Sequence, residues 1–418
     1  MSKYDNAGLV MIPSGYKASK VYSVIPNTTD GDFDFSRGST ATRVNKDGLI
    51  EVVASNVPRL DYPLIDGVVQ DCPSLLLEPQ RSNLFPYSES FDNAAWNKSS
   101  IGVGLVPIVT ANQGLAPDGT FTADRIVLNL NGGVGSSDGS FLSETVTVSS
   151  AATVSLTIYL KSNTGLTQNL IVWEAFTGTS LSVTLNNEWQ RFNVIATVSS
   201  TSSGLNFGLR NAFGVTVDDT ADILAWGAQL EQGSYPTSYI PTSGSTVTRV
   251  AETCNGAGNA DTFNGSEGVL FVEMSALAND STTRRINLRN SSGSNQIRIE
   301  YGSSTNLISG ILYNGANQAV INNNSHNVID LNKIVFKYKQ NDFALWINGV
   351  KVGTDSSGFT IGDGILDRID LSLATTQTYS NVKQIQYFNK ALTDAELEDL
   401  TSWDSFLEMA TSQLYTIN

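Results

Sequence analysis

The sequence predicts an all-β chain: an irregular, extended N-terminal region, a sandwich or jelly roll of short strands, then a second β-rich block with a short C-terminal helix. Three observations point to β-structure. Val154, Leu156, Ile158 and Leu160 alternate with Ser155, Thr157, Tyr159 and Lys161, the period of a strand with one buried and one wet face. Comparable short runs recur along the chain, separated by Ser, Thr, Gly and Asn clusters. Only one convincing helix signal appears, close to the C-terminal end.

Residues 1–84 carry Pro13, Pro26, Pro58, Pro63, Pro73 and Pro79. Each removes a ladder donor and biases its predecessor toward extended backbone. Short strands and extended crossings are therefore expected, with Asp32-Phe33-Asp34-Phe35-Ser36 alternating like a strand. So little continuous apolar surface predicts burial against a partner, either a second copy of the chain or the particle that carries it. Residues 85–250 read as the jelly roll, with strands at 121–128, 141–148, 154–160, 169–175, 191–198, 205–209 and 221–230. Residues 243–264 read as a linker, because Ser, Gly and Asn dominate them.

Residues 262–402 read as the second sandwich, with strands at 269–274, 297–301, 307–313, 334–338 and 343–347. Asn348-Gly349 predicts a two-residue hairpin turn, since both positions tolerate positive φ. Thr393-Asp394-Ala395-Glu396 is a capping box, followed by Leu397 and Leu400 on one helix face. The tail, residues 403–418, is expected to add a second short helix docked through Trp403, Phe406 and Leu407.

Lys and Arg number 25 against 40 Asp and Glu, a net charge of −15. That excludes a typical nucleic-acid binder, which neutralises phosphates with basic side chains. Charged residues are only 16% of the chain, while 48 Ser, 38 Thr and 37 Asn supply a surface wetted by hydroxyls and amides. Such surfaces suit extended, secreted or virion β-proteins. Cys72 and Cys254 are too few for a disulfide framework or a cysteine-based zinc site. No apolar stretch approaches the ~20 residues of a membrane span. Met1-Ser2-Lys3-Tyr4-Asp5 does not begin a signal peptide. Neither membrane insertion nor ordinary secretion is expected.

Three groups of motifs carry a resemblance. The first is Phe35-Ser36-Arg37-Gly38-Ser39-Thr40-Ala41-Thr42-Arg43-Val44, then Asn56-Val57-Pro58-Arg59-Leu60-Asp61-Tyr62, then Leu75-Leu76-Leu77-Glu78-Pro79-Gln80-Arg81-Ser82-Asn83-Leu84. In this order they resemble the N-terminal region of tailed-bacteriophage fibre and spike proteins. The second group, from Tyr87-Ser88-Glu89 through Pro117-Asp118-Gly119-Thr120 to Trp226-Gly227-Ala228-Gln229-Leu230-Glu231 and Thr237-Ser238-Tyr239-Ile240-Pro241-Thr242, is similar to carbohydrate-binding-module-like jelly rolls. Relatives often place an acidic residue near the last strand to hold calcium, and Trp226 stands there instead, so no metal is expected. The third, Gly349-Val350-Lys351-Val352-Gly353 with 382–397, resembles the end of concanavalin A-like (laminin G-like) domains.

Catalytic patterns fail on context. Gly135-Ser136-Ser137-Asp138-Gly139 matches a nucleophile elbow, but a strand rather than a helix follows it, and His326 is the only histidine. Asp30, Asp32 and Asp34 begin like a calcium loop, yet Phe35 and Ala41 occupy the positions that need Gly and Glu. No phosphate-binding glycine loop is present. Glu273 and Glu300 each stand alone on their strands, whereas glycoside hydrolysis needs two converging carboxylates.

Sugar binding asks less: an aromatic face for a pyranose, with amides and carboxylates for its hydroxyls. Tyr159, Gln168, Trp173 and Glu174 are candidates in the jelly roll, and Arg284, Tyr313, Asn314 and Trp346 in the last sandwich. Trp189 and Trp226 read as core. The expectation is a non-enzymatic virion fibre or spike subunit without cofactors. It would form a homo-oligomer, by analogy a trimer, attach to other virion proteins through residues 1–84, and bind host-surface glycan. Capsid decoration or a tail adaptor is the alternative, and a polysaccharide depolymerase the second.

Overall fold

The computed structural model describes residues 6–413, except 63, 66, 67, 71, 213, 374, 375, 406, 407, 410 and 411. The chain is almost wholly β, with an α-helix at Asp394–Thr401. It divides into two compact units. One comprises Met1–Gly48, Val53–Pro79 and Ala251–Asn418; the other comprises Leu49–Val52 and Gln80–Val250.

The first unit is a sandwich of two antiparallel sheets. One runs Val350–Asp355, Phe343–Ile347, Asn332–Lys339, Glu267–Ala276, Ser380–Phe388, Ser74–Leu77 and Leu60–Asp61, with Leu9–Met11 also paired to Ser380–Phe388. The other runs Tyr16–Lys17, Lys20–Val21, Phe33–Ser36, Thr253–Ala257, Arg368–Asp370, Arg284–Arg289, Asn295–Tyr301, Ile308–Asn314 and Asn317–Asn323. Alternation explains the faces. Ile286, Leu288, Ile297 and Ile299 enter the core, while Arg285, Asn287, Arg289, Arg298 and Glu300 stand on the opposite face.

Two expectations are corrected here. The N-terminal residues are not a separate region awaiting an external partner. Leu9, Met11, Val21, Phe33, Phe35, Leu60, Leu75 and Leu77 belong to the same core as Leu270, Val272, Ile334 and Ile385. Their strands are too short to bury an apolar face alone, and they complete sheets begun by the C-terminal half of the chain. Nor are residues 243–264 a linker. Val247–Arg249 pairs with Arg81–Asn83, and Thr253–Ala257 lies between Phe33–Ser36 and Arg368–Asp370.

A buried ionic network fixes this unit. Glu252 accepts from Arg37 Nη1 at 2.7 Å, from Arg59 Nε at 2.8 Å and from the Glu78 amide at 2.9 Å, and also pairs with Arg59 Nη2. Arg59 Nη1 reaches Glu78 Oε2 at 2.7 Å and the Thr42 carbonyl at 3.0 Å. Arg37, Arg59 and Glu252 have no exposed surface. Charges so deeply buried persist only when their partners are all in place.

The local signals at the C-terminal end hold. Asn348 and Gly349 adopt φ of 50° and 82° between Phe343–Ile347 and Val350–Asp355. Thr393 and Glu396 form a reciprocal capping box, and Leu397 and Leu400 pack with Val269, Phe271, Val335 and Trp346. Trp403 lies under the Lys333 ammonium at 4.4 Å; Phe406 and Leu407 fall outside the described residues.

The second unit packs two five-stranded antiparallel sheets around Trp96, Leu142, Leu156, Ile158, Phe207 and Leu230. The first sheet runs Asn97–Ile101, Gly139–Thr147, Ser202–Arg210, Gln168–Glu174 and Ser180–Leu185. The second runs Leu105–Gly114, Ala123–Asn129, Thr220–Gln232, Thr153–Ser162 and Gln190–Thr197. A β-bulge at Gly227, φ 63°, shifts the register between Thr220–Gln232 and Thr153–Ser162. Ala225, Ala228 and Leu230 therefore all enter the core, while Trp226 turns to the other face.

Replacing Glu252 by Gln leaves two buried guanidinium groups short of a counter-charge. This predicts a loss of about 3–5 kcal/mol in the unfolding free energy of the first unit in a denaturant titration. An unchanged midpoint would show the network to be dispensable.

Candidate functional site

Most residues that the sequence nominates for sugar contact are structural. Trp173 is 2% exposed, packed edge-on against Phe141 at 5.1 Å with Arg210 over its ring. Glu174 is fully buried and accepts from the amides of Phe176, Thr177 and Gly204 and from Ser203 Oγ, which fastens the 175–179 turn. Gln168 bridges Ser162, Thr164 and the backbone of Asp222. In the other unit Arg284 is buried and spent on the Tyr379 and Thr282 carbonyls and on Asp280. Trp346 lies in the cluster beneath the helix. Asn314 donates to the Thr360 carbonyl at 3.1 Å, and Tyr313 is half-buried. As contact residues, Gln168, Trp173, Glu174, Arg284 and Trp346 are corrected, because strand alternation or hydrogen bonding removes each from solvent. Tyr159 alone of the jelly-roll candidates remains partly open.

Tyr159 stands on the outer face of the second sheet of that unit, directly opposite Arg191 on one neighbouring strand and Trp226 on the other. The Tyr159 and Trp226 rings are 5.6 Å apart, and Trp226 and Tyr239 4.4 Å. The Arg191 guanidinium sits 5.4 Å above Tyr159, and the Lys161 ammonium 5.2 Å from the half-buried Trp189 ring. Such cation–π contacts are worth roughly 0.5–1 kcal/mol near solvent and hold the rings in place. Arg191 Nη2 donates to Thr157 Oγ1 at 3.0 Å, while its Nε is buried without a hydrogen-bond partner.

The loop 115–122 borders this face. Its Leu115 carbonyl accepts from Trp189 Nε1 at 3.0 Å, and Thr122 Oγ1 from Trp226 Nε1 at 3.2 Å. Leu115 and Phe121 are about 60% exposed on the same loop (59% and 60%). On the far side Tyr239 donates to Glu89 Oε1 at 2.7 Å, and burial raises the pKa of that carboxyl. Two half-open rings and two cations thus share one surface. Rings can stack against the C–H face of a pyranose, and the charged groups can bond its hydroxyls. Trp189 is the residue sequence reasoning missed, since an aromatic next to strand residues reads as core.

Catalytic patterns resolve into structure. Asp138 of the Gly-Ser-Ser-Asp-Gly run accepts from the amides of Gly135 and Val103, which makes the run a turn. His326 Nδ1 lies 2.9 Å from Asn323 Oδ1 in its own loop. Asp34 pairs with Lys20 on a strand, and Asp32 accepts from the Ser23 amide. Glu273 is the one carboxylate among the described residues lining a cleft of about 490 Å³. Among the described residues, no group of three or more His, Cys, Asp or Glu is placed to hold a metal ion. No helix described is long and apolar enough to cross a membrane.

No family model matches the chain, and no curated protein matches it. Among solved structures it is similar to the Ruminococcus gnavus IT-sialidase CBM40 bound to alpha2,3 sialyllactose, at 13% identity and TM-score 0.30 over 35% of this chain and 94% of that one. It is also similar to the CBM22-1-CBM22-2 tandem domain from Paenibacillus barcinonensis Xyn10C, at 12% identity and TM-score 0.24 over 76% and 98%. A third is the LG1-3 region of the laminin alpha2 chain, at 11% identity and TM-score 0.22 over 60% and 65%. Overlaps this loose carry no inference about a site, which rests on the geometry above.

Glu144 yields a pH-dependent prediction for the jelly roll. It faces inward, Oε2 has no hydrogen-bond partner, and burial pushes its pKa up to about 8. The unfolded chain releases this proton near the ordinary value of 4.5. Between those values the folded state holds a proton that the unfolded state has lost, so stability falls as pH rises through the window. Each unit of separation is worth about 1.4 kcal/mol. Glu144→Gln is expected to match the parent in thermal melting near pH 4 and exceed it at pH 9; equal melting at both would refute the assignment.

Proposed function

We propose that this chain is a non-catalytic, glycan-binding virion protein of the phage fibre or spike type. The observation that carries the binding part is the surface on which Tyr159, Trp189, Arg191 and Lys161 meet, partly open to solvent and built on adjacent strands. A pyranose packed against the exposed parts of the Tyr159 and Trp189 rings would bury its C–H face, and Arg191 and Lys161, which stand over those rings, would take its hydroxyls. The virion part is supported by the order of the motifs around Arg37, Arg59 and Glu78. Those three residues also join the buried ionic network around Glu252.

A single face of this kind binds weakly. An oligomer whose sites engage together gains roughly 10²–10⁴ in avidity without new contacts. A homotrimer is the form we propose, attached to other virion proteins and displayed on the particle surface.

Two substitutions separate binding from folding. Trp189→Ala should weaken binding of host-surface glycan at least about tenfold, close to 1.4 kcal/mol, and lower the melting temperature by less than the loss of a fully buried Trp does. Trp173→Ala should instead cost about 3–5 kcal/mol of stability, as for any buried Trp. Full glycan binding by a folded Trp189→Ala protein would overturn the site. Light scattering should give three times the mass of one chain; a monomeric mass would remove the trimer.

A further inference from the structure

Tyr159 and Lys161 stand two residues apart on the outer face of Thr153–Ser162, with Leu160 turned into the core between them. Arg191 pairs across the strand boundary with Tyr159, and Gln190 with Leu160. The same register, continued by one residue, brings Trp189 across from Lys161. The four side chains thus form a quadrilateral, with the two rings on one diagonal and the two cations on the other. Diagonal neighbours on a sheet face lie roughly 7–8 Å apart, within reach of two long side chains on one small group. Each cation stands over the ring of the adjacent strand, and all four residues keep part of their surface in solvent.

The two cations are unanswered by acids. Among the described residues neither Lys161 nor Arg191 has an ion-pair partner, whereas Arg125 on the same sheet is held by both oxygens of Asp222. The side chains that flank the four on this face, Thr157, Asn193, Leu224 and Trp226, carry no charge. Three acids lie further out. Glu188 precedes Trp189 and is exposed, Asp118 accepts from the Thr120 amide and hydroxyl, and Glu89 accepts from Tyr239. Like charges on one sheet face repel. A chain with 40 acidic residues nevertheless sets none of the described ones beside this pair.

We infer, resting on the glycan face proposed above, that the sugar it takes is anionic. A carboxylate or sulfate substituent would lie between Lys161 and Arg191, while the sugar's C–H face meets the open parts of the Trp189 and Tyr159 rings. Hydrogen bonds from a cation to an ionised acceptor are shorter and roughly twice as strong as neutral ones. The anion also relieves the repulsion between the two cations, which a neutral hydroxyl does not. Arg191 spends Nη2 on Thr157 Oγ1 at 3.0 Å, a bond that fixes its guanidinium over Tyr159.

The test is calorimetric titration of the full chain with matched pairs that differ in charge: trigalacturonate with its methyl ester, and sulfated lactose with lactose. At least one anionic member should bind tenfold or more tighter than its neutral counterpart, by a margin that shrinks with added salt. The pair that shows this tells carboxylate from sulfate. Lys161→Gln/Arg191→Gln should lose tenfold or more on that anionic sugar and less on the neutral one. Arg191→Lys, which keeps the charge, is the second variant and should retain the preference; melting curves report the folding of both. Equal binding of charged and neutral members would overturn the charge preference and leave the glycan face standing. Unimpaired binding of every sugar by a folded Trp189→Ala protein would remove the face itself. Absence of binding by both anionic probes, or an unchanged preference in the double variant, would overturn the inference.

Discussion

Glu252 and the two arginines it neutralises are the constraint around which the first unit is organised. Arg37, Arg59 and Glu78 come from the N-terminal part of the chain, and Glu252 from beyond the inserted jelly roll. The Glu252 amide also donates to the Glu78 carbonyl at 3.2 Å, so the chain leaves and re-enters this unit at adjacent points. Removing any one charge would leave the others buried in a medium that does not solvate them. A 171-residue excursion can be accommodated on those terms, because its two ends are pinned within the same network.

This also accounts for how the sequence reads. The motifs around Arg37, Arg59 and Glu78 are separated by irregular, proline-rich stretches with no periodicity to declare a sandwich. Period-two alternation made 154–160 legible as a strand, 269–274 and 334–338 also read as strands, and Asn348-Gly349 and Thr393-Glu396 declared a turn and a cap. Those are signals within a few residues of one another. The pairing of Leu9–Met11 and Ser74–Leu77 with Ser380–Phe388 spans more than 300 residues and leaves no local trace. Strands such as Asn97–Ile101 and Asn317–Asn323 were equally silent, because Asn and Ser dominate them.

The candidate site was less legible than the fold, for a physical reason. A strand sequence tells which residues share a face but not which face is wet. Trp173 and Trp346 lie on faces covered by other parts of their own units. Trp226 reads as core and is buried, yet the bulge at Gly227 places it under Tyr159 rather than inside the main core. Trp189, just before Gln190–Thr197, keeps part of its ring in solvent, with its indole N–H held by the Leu115 carbonyl. Neither the bulge nor that loop contact is visible in residue order.

Hydrogen–deuterium exchange of the whole chain, with and without bound host glycan, tests the central claim most directly. The account predicts new protection in Thr153–Ser162, Gln190–Thr197 and the loop 115–122, with the opposite sheet of the jelly roll unchanged. Protection confined to Gly139–Thr147, Gln168–Glu174 and Ser180–Leu185 would contradict it.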